Sequence, residues 1–293
     1  MHKRNYIQTI LAALVAIVSL ASCSQRGEIA PMVSVSIQPL EYFVDRLTGQ
    51  EIEVNVMVPS GASHGTYSPS SLQLKRLSDS GLYLRIGYLG YEQAWINRLG
   101  ELNPGMKVVN LSGHVDLIRG EEVNHGDHVH EGGIDPHIWM SPAVMLDLLP
   151  VIRDAILEAF PAFRETVAEN YPALEAEVEG LHREFSGLSE TLTSKRFMIF
   201  HPALTYLARD YGLEQISIEH EGKEPSPARL ARMIQNAREL ATPVIFIQEE
   251  YDIRNAQLIS EETGATIVQI NPLGYDWPAA MHELAETFKA FLR

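Results

Sequence analysis

The 293-residue chain has one cysteine, Cys23. That scarcity excludes a disulfide-stapled fold and a zinc site built on several thiolates, so a metal centre here has to use nitrogen and oxygen. Basic residues are also few: 23 Lys and Arg stand against 38 Asp and Glu, a formal charge of -15. Such an acidic chain is unsuited to a phosphate backbone, which argues against a nucleic-acid partner and leaves solubility and attraction of cations as the work of the charge. The apolar run at residues 7–20 falls short of the ~20 residues of a comfortable membrane span. No HExxH helix is present, so the common metalloprotease signature is missing. Hydrophobic content of 45% and charged content of 21% are ordinary for a globular protein, and the length suits one large domain or two medium ones.

The N-terminus accounts for the lone thiol. His2, Lys3 and Arg4 precede the apolar run, and Leu20, Ala21 and Ser22 lead into Cys23. This resembles a bacterial lipoprotein signal, with residues 1–22 removed and Cys23 lipidated, so that residues 23–31 tether an extracytoplasmic protein to a lipid bilayer. Cleavage there removes Lys3 and Arg4 and no acids, leaving 21 minus 38, or -17.

Beyond the tether, strand-like and helix-like segments alternate. Residues 32–37 and 52–58 read as strands, 39–47 as a helix before Gly49, 70–79 as a helix, 82–86 as a buried strand, 92–99 as a helix and 108–111 as a strand. Ser141 and Pro142 form a cap and first turn for a helix reaching Phe160. Residues 162–192 carry Leu174, Val178, Leu181, Phe185 and Leu188 on one stripe, with Pro172 expected to kink the helix or restart it. The second half repeats the alternation: strands at 196–200, 216–218, 244–247 and 266–270, a charged loop at 219–225, and helices at 204–211, 226–240, 253–263 and 283–292. The expected fold is α/β, two Rossmann-like βα lobes (32–161 and 193–293) joined by a long connecting helix (162–192), with a metal site in the interlobe cleft.

Residues 124–142, NHGDHVHEGGIDPHIWMSP, hold His125, His128, His130 and His137 among three acids and three glycines. No core needs that composition, whereas imidazoles and carboxylates suit a borderline divalent cation. His64 lies on a turn-rich loop beyond the second strand, and His201 directly follows the strand at 196–200. Two lobes closing on a shared cleft would bring His64, His137 and His201 onto one cation.

VPSGASHGTYSPSSLQLKRL (58–77), DPHIWMSP (135–142), FMIFHPALTYLARDYGL (197–213), EPSPARLARMI (224–234) and EETGATIVQINPLG (261–274) resemble the cluster A-I (cluster 9) substrate-binding proteins of zinc and manganese ABC transporters, the ZnuA and TroA type. The resemblance spans nearly the whole mature chain. It implies a monomeric, membrane-anchored receptor that captures extracytoplasmic zinc and delivers it to an ABC permease. It further implies His137 and His201 as metal ligands, and His64 as a third although Gly65 holds the family's usual histidine place. Manganese members use Glu where this chain has His201, which favours Zn2+ over Mn2+. The family's aspartate is replaced by Asn271, and an acid of the preceding strand by Gln248. The fourth ligand is thus left among Asp276, Glu249, Asn271 and water. With three neutral imidazoles the dication charge is expected to stay uncancelled, giving lower affinity, or more solvent at the metal, than in a member with a carboxylate. His125, His128 and His130 resemble the family's His-rich insertion, an auxiliary weaker site, and His114, His182, His220 and His282 are expected on the solvated surface. The alternatives are a manganese receptor of the same kind and a three-histidine zinc hydrolase.

Overall fold

The computed structural model describes residues 31–95, 103–120, 123–125, 128–130, 133–219, 226–239 and 242–293, the side chains of 123–125 and 128–130 excepted. The signal segment, Cys23, most of the tether, His220 and most of the 219–225 loop lie outside the described residues, as does part of the expected 92–99 helix, of which 92–95 is described and helical, in a helix that begins at residue 90. Among the described residues no helix is long and apolar enough to cross a membrane.

Residues 32–293 form one compact unit with two parallel four-stranded sheets. The first has the order β2-β1-β3-β4, from β1 (Met32–Ile37), β2 (Glu53–Val58), β3 (Leu82–Arg85) and β4 (Lys107–Asn110). The second has the order β10-β9-β7-β8, from β7 (Arg196–Ile199), β8 (Glu214–Ser217), β9 (Val244–Gln248) and β10 (Thr266–Ile270). Between them in sequence, β5 (Val123–His125) and β6 (His128–His130) form a short antiparallel hairpin. In each large sheet the order reverses around the first strand. The crevices at the carboxyl ends of β1/β3 and β7/β9 are therefore the places where an open α/β sheet binds ligands.

The helices start and stop where local chemistry says they should. α1 (Gln38–Thr48) ends at Gly49 with φ 67°, a left-handed turn that glycine adopts without a Cβ penalty. α2 (Ser71–Asp79) opens on a capping box between Ser70 and Gln73, and α3 (Pro142–Ala159) opens on the Ser141 hydroxyl, which accepts from Val144 N. The long helix α4 (Arg164–Thr191) buries the expected stripe of Leu174, Val178, Leu181, Phe185 and Leu188. Pro172 sits inside α4 and does not restart it: the carbonyl it leaves without a partner belongs to exposed Ala168 and can turn to water. The remaining helices are α5 (Thr205–Asp210), α6 (Pro227–Glu239), α7 (Arg254–Thr263) and α8 (Trp277–Leu292).

Side-chain alternation along the second sheet divides the core. Phe197 and Ile199 of β7 and Val244 and Phe246 of β9 join a large cluster continuous with the first sheet, while Met198, Ile245 and Ile247 face a smaller cluster under α6 and α7. The chain after β10 crosses back onto the first half. Trp277 donates from Nε1 to Trp139 O (2.9 Å), Trp139 donates from Nε1 to Pro272 O (2.8 Å), and Tyr275 donates to Asp45 (2.8 Å). His182 corrects the surface expectation: half-buried on α4, it bonds through Nδ1 to the Tyr211 hydroxyl at 3.0 Å. An apolar stripe alone did not reveal that a helix linking two halves has neighbours on more than one side. His114 is exposed, and His282 is ion-paired with Glu184 at the surface.

Candidate metal centre

His64, His137 and His201 lie 64 to 137 residues apart in the sequence, and each offers one ring nitrogen within 4.8 Å of the other two. Among the described residues no other group of His, Cys, Asp or Glu has that geometry. His137 Nε2 is 3.0 Å from His64 Nε2 and 3.3 Å from His201 Nε2. Tetrahedral zinc with Zn–N of about 2.0–2.1 Å requires nitrogens ~3.3–3.4 Å apart, so the rings already stand close to the spacing of a metal shell.

Two carboxylates fix the chemistry of two of these rings. Asp135 Oδ1 is 2.8 Å from His137 Nδ1 and also accepts from the His137 backbone N at 2.9 Å. Glu219 Oε2 is 2.8 Å from His201 Nδ1. A carboxylate only accepts, so each Nδ1 carries a proton, and in the neutral ring each Nε2 presents a lone pair to the centre. Lone pairs of His137 and His201 thus face each other at 3.3 Å with no hydrogen to share, an arrangement that a cation relieves. Burial pushes the His64 imidazole well below its usual range, with His137 and His201 adding to the effect. Burial also lowers His137, against the pull of Asp135. Burial opposes the charge of Asp135, yet His137 and its hydrogen bonds hold the carboxyl below the usual range.

The register of the second sheet explains the His201 side. β7 pairs Ile199 with Ser217 of β8 and with Phe246 of β9. Two residues further on, His201 therefore stands level with Glu219 on one flank and Gln248 on the other. Gln248 is buried and clamps the His201 backbone, accepting from His201 N (3.3 Å) and donating to His201 O (2.8 Å). Tyr251 stacks on the His201 ring with centroids 5.3 Å apart and 17° between planes. On the other side, Trp139 backs His137 at 5.2 Å and His64 at 6.1 Å. Tyr206 fixes the Asp135 segment by donating to Asp135 O (2.8 Å).

The residues considered for a fourth position are engaged elsewhere. Asp276 is exposed and caps α8 by accepting from Ala279 N, and Asn271 donates to the Ser60 hydroxyl while accepting from Leu273 N. Glu249 is exposed and joins no His, Cys, Asp or Glu cluster among the described residues. The expectation of an uncancelled dication charge is corrected. Asp135 and Glu219 bring two negative charges to the far sides of two of the three candidate rings, which matches the charge of a divalent cation. Sequence reading missed both roles. Asp135 was signalled by its place two residues before His137, whereas Glu219 required the register of β7 and β8.

A cavity of about 470 Å³ opens on His137 and His201 and is lined also by Arg119, Gly120, Gly133, Ile134 and Thr205. Arg119 bridges Ile134, and Gly120 N donates to Gly133 O at 2.9 Å, so the two stems of the His-rich segment close at the mouth of this cavity. In the hairpin itself His125 stands opposite His128, and His130 opposite Val123.

The sequence model of the family described as "Zinc-uptake complex component A periplasmic" matches residues 33–291. The zinc-binding lipoprotein AdcA of Streptococcus pneumoniae is 28% identical over 283 residues, covering 91% of this chain and 55% of that protein. The chain thus spans about half the length of that curated relative. A crystal structure of ZnuA superposes with a TM-score of 0.81 at 31% identity, covering 90% of this chain and 100% of the other. A zinc-bound ZnuA deletion mutant superposes with a TM-score of 0.79 at 32% identity, covering 88% and 96%.

Proposed function

We propose, from the premise that the chain belongs to the zinc-uptake complex component A family, that it is an extracytoplasmic receptor whose cargo is Zn2+. The carrying observation is the pair of carboxylate-locked imidazoles, His137–Asp135 and His201–Glu219, whose Nε2 lone pairs converge with His64. Neutral nitrogen donors backed by carboxylates suit a borderline cation better than the harder Mn2+, so zinc is preferred over manganese. His64, His137 and His201 are the ligands, and water from the adjoining cavity completes the shell. Reversible coordination needs no further chemistry, and the protein acts as a receptor rather than a hydrolase.

Several wider features belong to the same reading. Lipidated Cys23 anchors the chain to the bilayer, and the monomeric receptor hands zinc to an ABC permease. Lobes of residues 32–161 and 193–293 move against the 162–192 helix to open the site. His125, His128 and His130 gather cations near the cavity mouth as a weaker auxiliary site. The test is competitive zinc titration of metal-free protein. Since a four-ligand structural zinc site is worth ~10–16 kcal/mol, about 2.5–4 kcal/mol per ligand, His137→Ala should weaken the tight site by roughly a hundredfold. Unaltered affinity in His137→Ala, or manganese outcompeting zinc in the wild type, would overturn the assignment.

A further inference from the structure

His64 differs from its two partners in what holds it. His137 has Asp135 and His201 has Glu219, but His64 Nδ1 is buried with no hydrogen-bond partner. The orientation of His64 therefore depends on its loop, residues 59–67. That loop is tied to itself by Thr66 N and Tyr67 N, both donating to Ser63 O, and at Gly65 it rests against Gly90 of the segment following β3. The contact is backbone on backbone. A Cβ added at Gly90 would fall 2.2 Å from the Gly65 carbonyl oxygen, so only glycine lets the two segments lie this close.

The segment after β3 is in turn built on a fully buried carboxylate. Glu92 is 0% exposed and lies at the β1/β3 crevice. Its Oε1 accepts from Ile86 N at 3.0 Å and from the Ser36 hydroxyl, and its Oε2 accepts from Gly87 N at 2.5 Å and Leu89 N at 3.3 Å. Tyr83, Tyr91 and Ser36 complete the network, with the two phenols 2.8 Å apart. A buried carboxylate is costly unless its lone pairs are taken, and here its main partners are backbone N–H groups of one four-residue turn. The carboxylate thus sets the path of residues 86–90, and that path sets where Gly65 and His64 sit.

On the reading of the centre as a zinc receptor, we propose that Glu92 is a positioning residue for His64, acting through the 86–90 turn and the Gly90–Gly65 contact. Main-chain packing then supplies to His64 what Asp135 and Glu219 supply to His137 and His201 by direct hydrogen bonds. Gln in place of Glu92 keeps one acceptor oxygen and turns an NH2 group toward donors, so either the Ile86 side or the Gly87–Leu89 side of the turn is released.

The test is a double-mutant cycle read by competitive zinc titration. Glu92→Gln should weaken zinc binding by about tenfold in the wild-type background, the lower end of the range for lost supporting partners. In a His64→Ala background the same change should alter affinity by less than about twofold, because the ligand it positions is gone. Gly90→Ala disturbs Gly65 without touching the carboxylate and should show the same pattern. It carries the test alone if Glu92→Gln fails to fold. A loss of equal size in both backgrounds, or no loss in either variant, overturns the positioning role while leaving the receptor reading intact. A wild-type protein that takes up no zinc would overturn both.

Discussion

At the residue scale, charge balance is set by side chains that touch no cation themselves. Glu219 and Asp135 each hold one imidazole in the tautomer that frees Nε2, and each places a negative charge one ring away from the centre. Replacing Glu219 with Gln preserves an acceptor for His201 Nδ1 and removes the charge. Zinc affinity in Glu219→Gln is therefore expected to fall about tenfold, and in Glu219→Ala toward a hundredfold, the usual range for such outer partners. Competitive titration measures both, and unchanged affinity in both variants would show that the charge is immaterial. Gln248 illustrates a different residue-level point. In the sequence it looks like a lost acid, yet its amide bonds both the N–H and the C=O of His201, a task that a carboxylate, with no donor, performs only in part.

At the scale of elements, the centre is assembled by register and by one aromatic pin. Parallel pairing of β7 with β8 and β9 puts Glu219, His201 and Gln248 at one level across three strands. The opposite wall depends on the turn from β10 into α8, where Trp277 and Trp139 are both buried with their indole N–H groups bonded to backbone carbonyls. Trp277 also packs on Phe43 of α1, with centroids 5.1 Å apart. Trp277→Ala should destabilise the protein by about 3–5 kcal/mol, as large-to-small changes of buried aromatics do. Urea unfolding of the metal-free protein measures this. A loss below about 1 kcal/mol would show that the crossing of α8 onto the first half matters little to stability.

At the scale of the whole molecule, two buried imidazoles couple the centre to folding. His64 and His137 are lowered from the usual 6.5, so as pH falls below that value the unfolded chain takes up their protons before the folded one does. Stability then rises with pH over the window between the folded values and about 6.5, and gains nothing from these groups above it. Carboxyls raised by burial, Glu92 and Glu250 among them, slope the other way. The difference between wild type and His64→Ala isolates the histidine share. Urea midpoints of metal-free protein should drop more between pH 7.5 and 5.5 in the wild type than in His64→Ala, and equal drops would refute the coupling. Much of this molecule was legible beforehand. Alternation of apolar residues marked the strands, Ser141–Pro142 and Gly49 marked helix ends, and the stripe from Leu174 to Leu188 marked α4, because those signals depend on neighbours a few residues apart. The three histidines were also legible as candidates, since their residue types and loop positions are local facts. What brings Glu219 to His201, Gly90 to Gly65 and Trp277 to Trp139 is strand register and loop packing between segments 18 to 138 residues apart, as the contacts at each extreme show. Composition by itself determined that a cation could be held by imidazole and carboxylate. Asp135 stands two residues from His137, but only the tertiary structure decided that Glu219 locks His201, because that hydrogen bond at 2.8 Å is fixed by where two strands run side by side and not by the sequence of either.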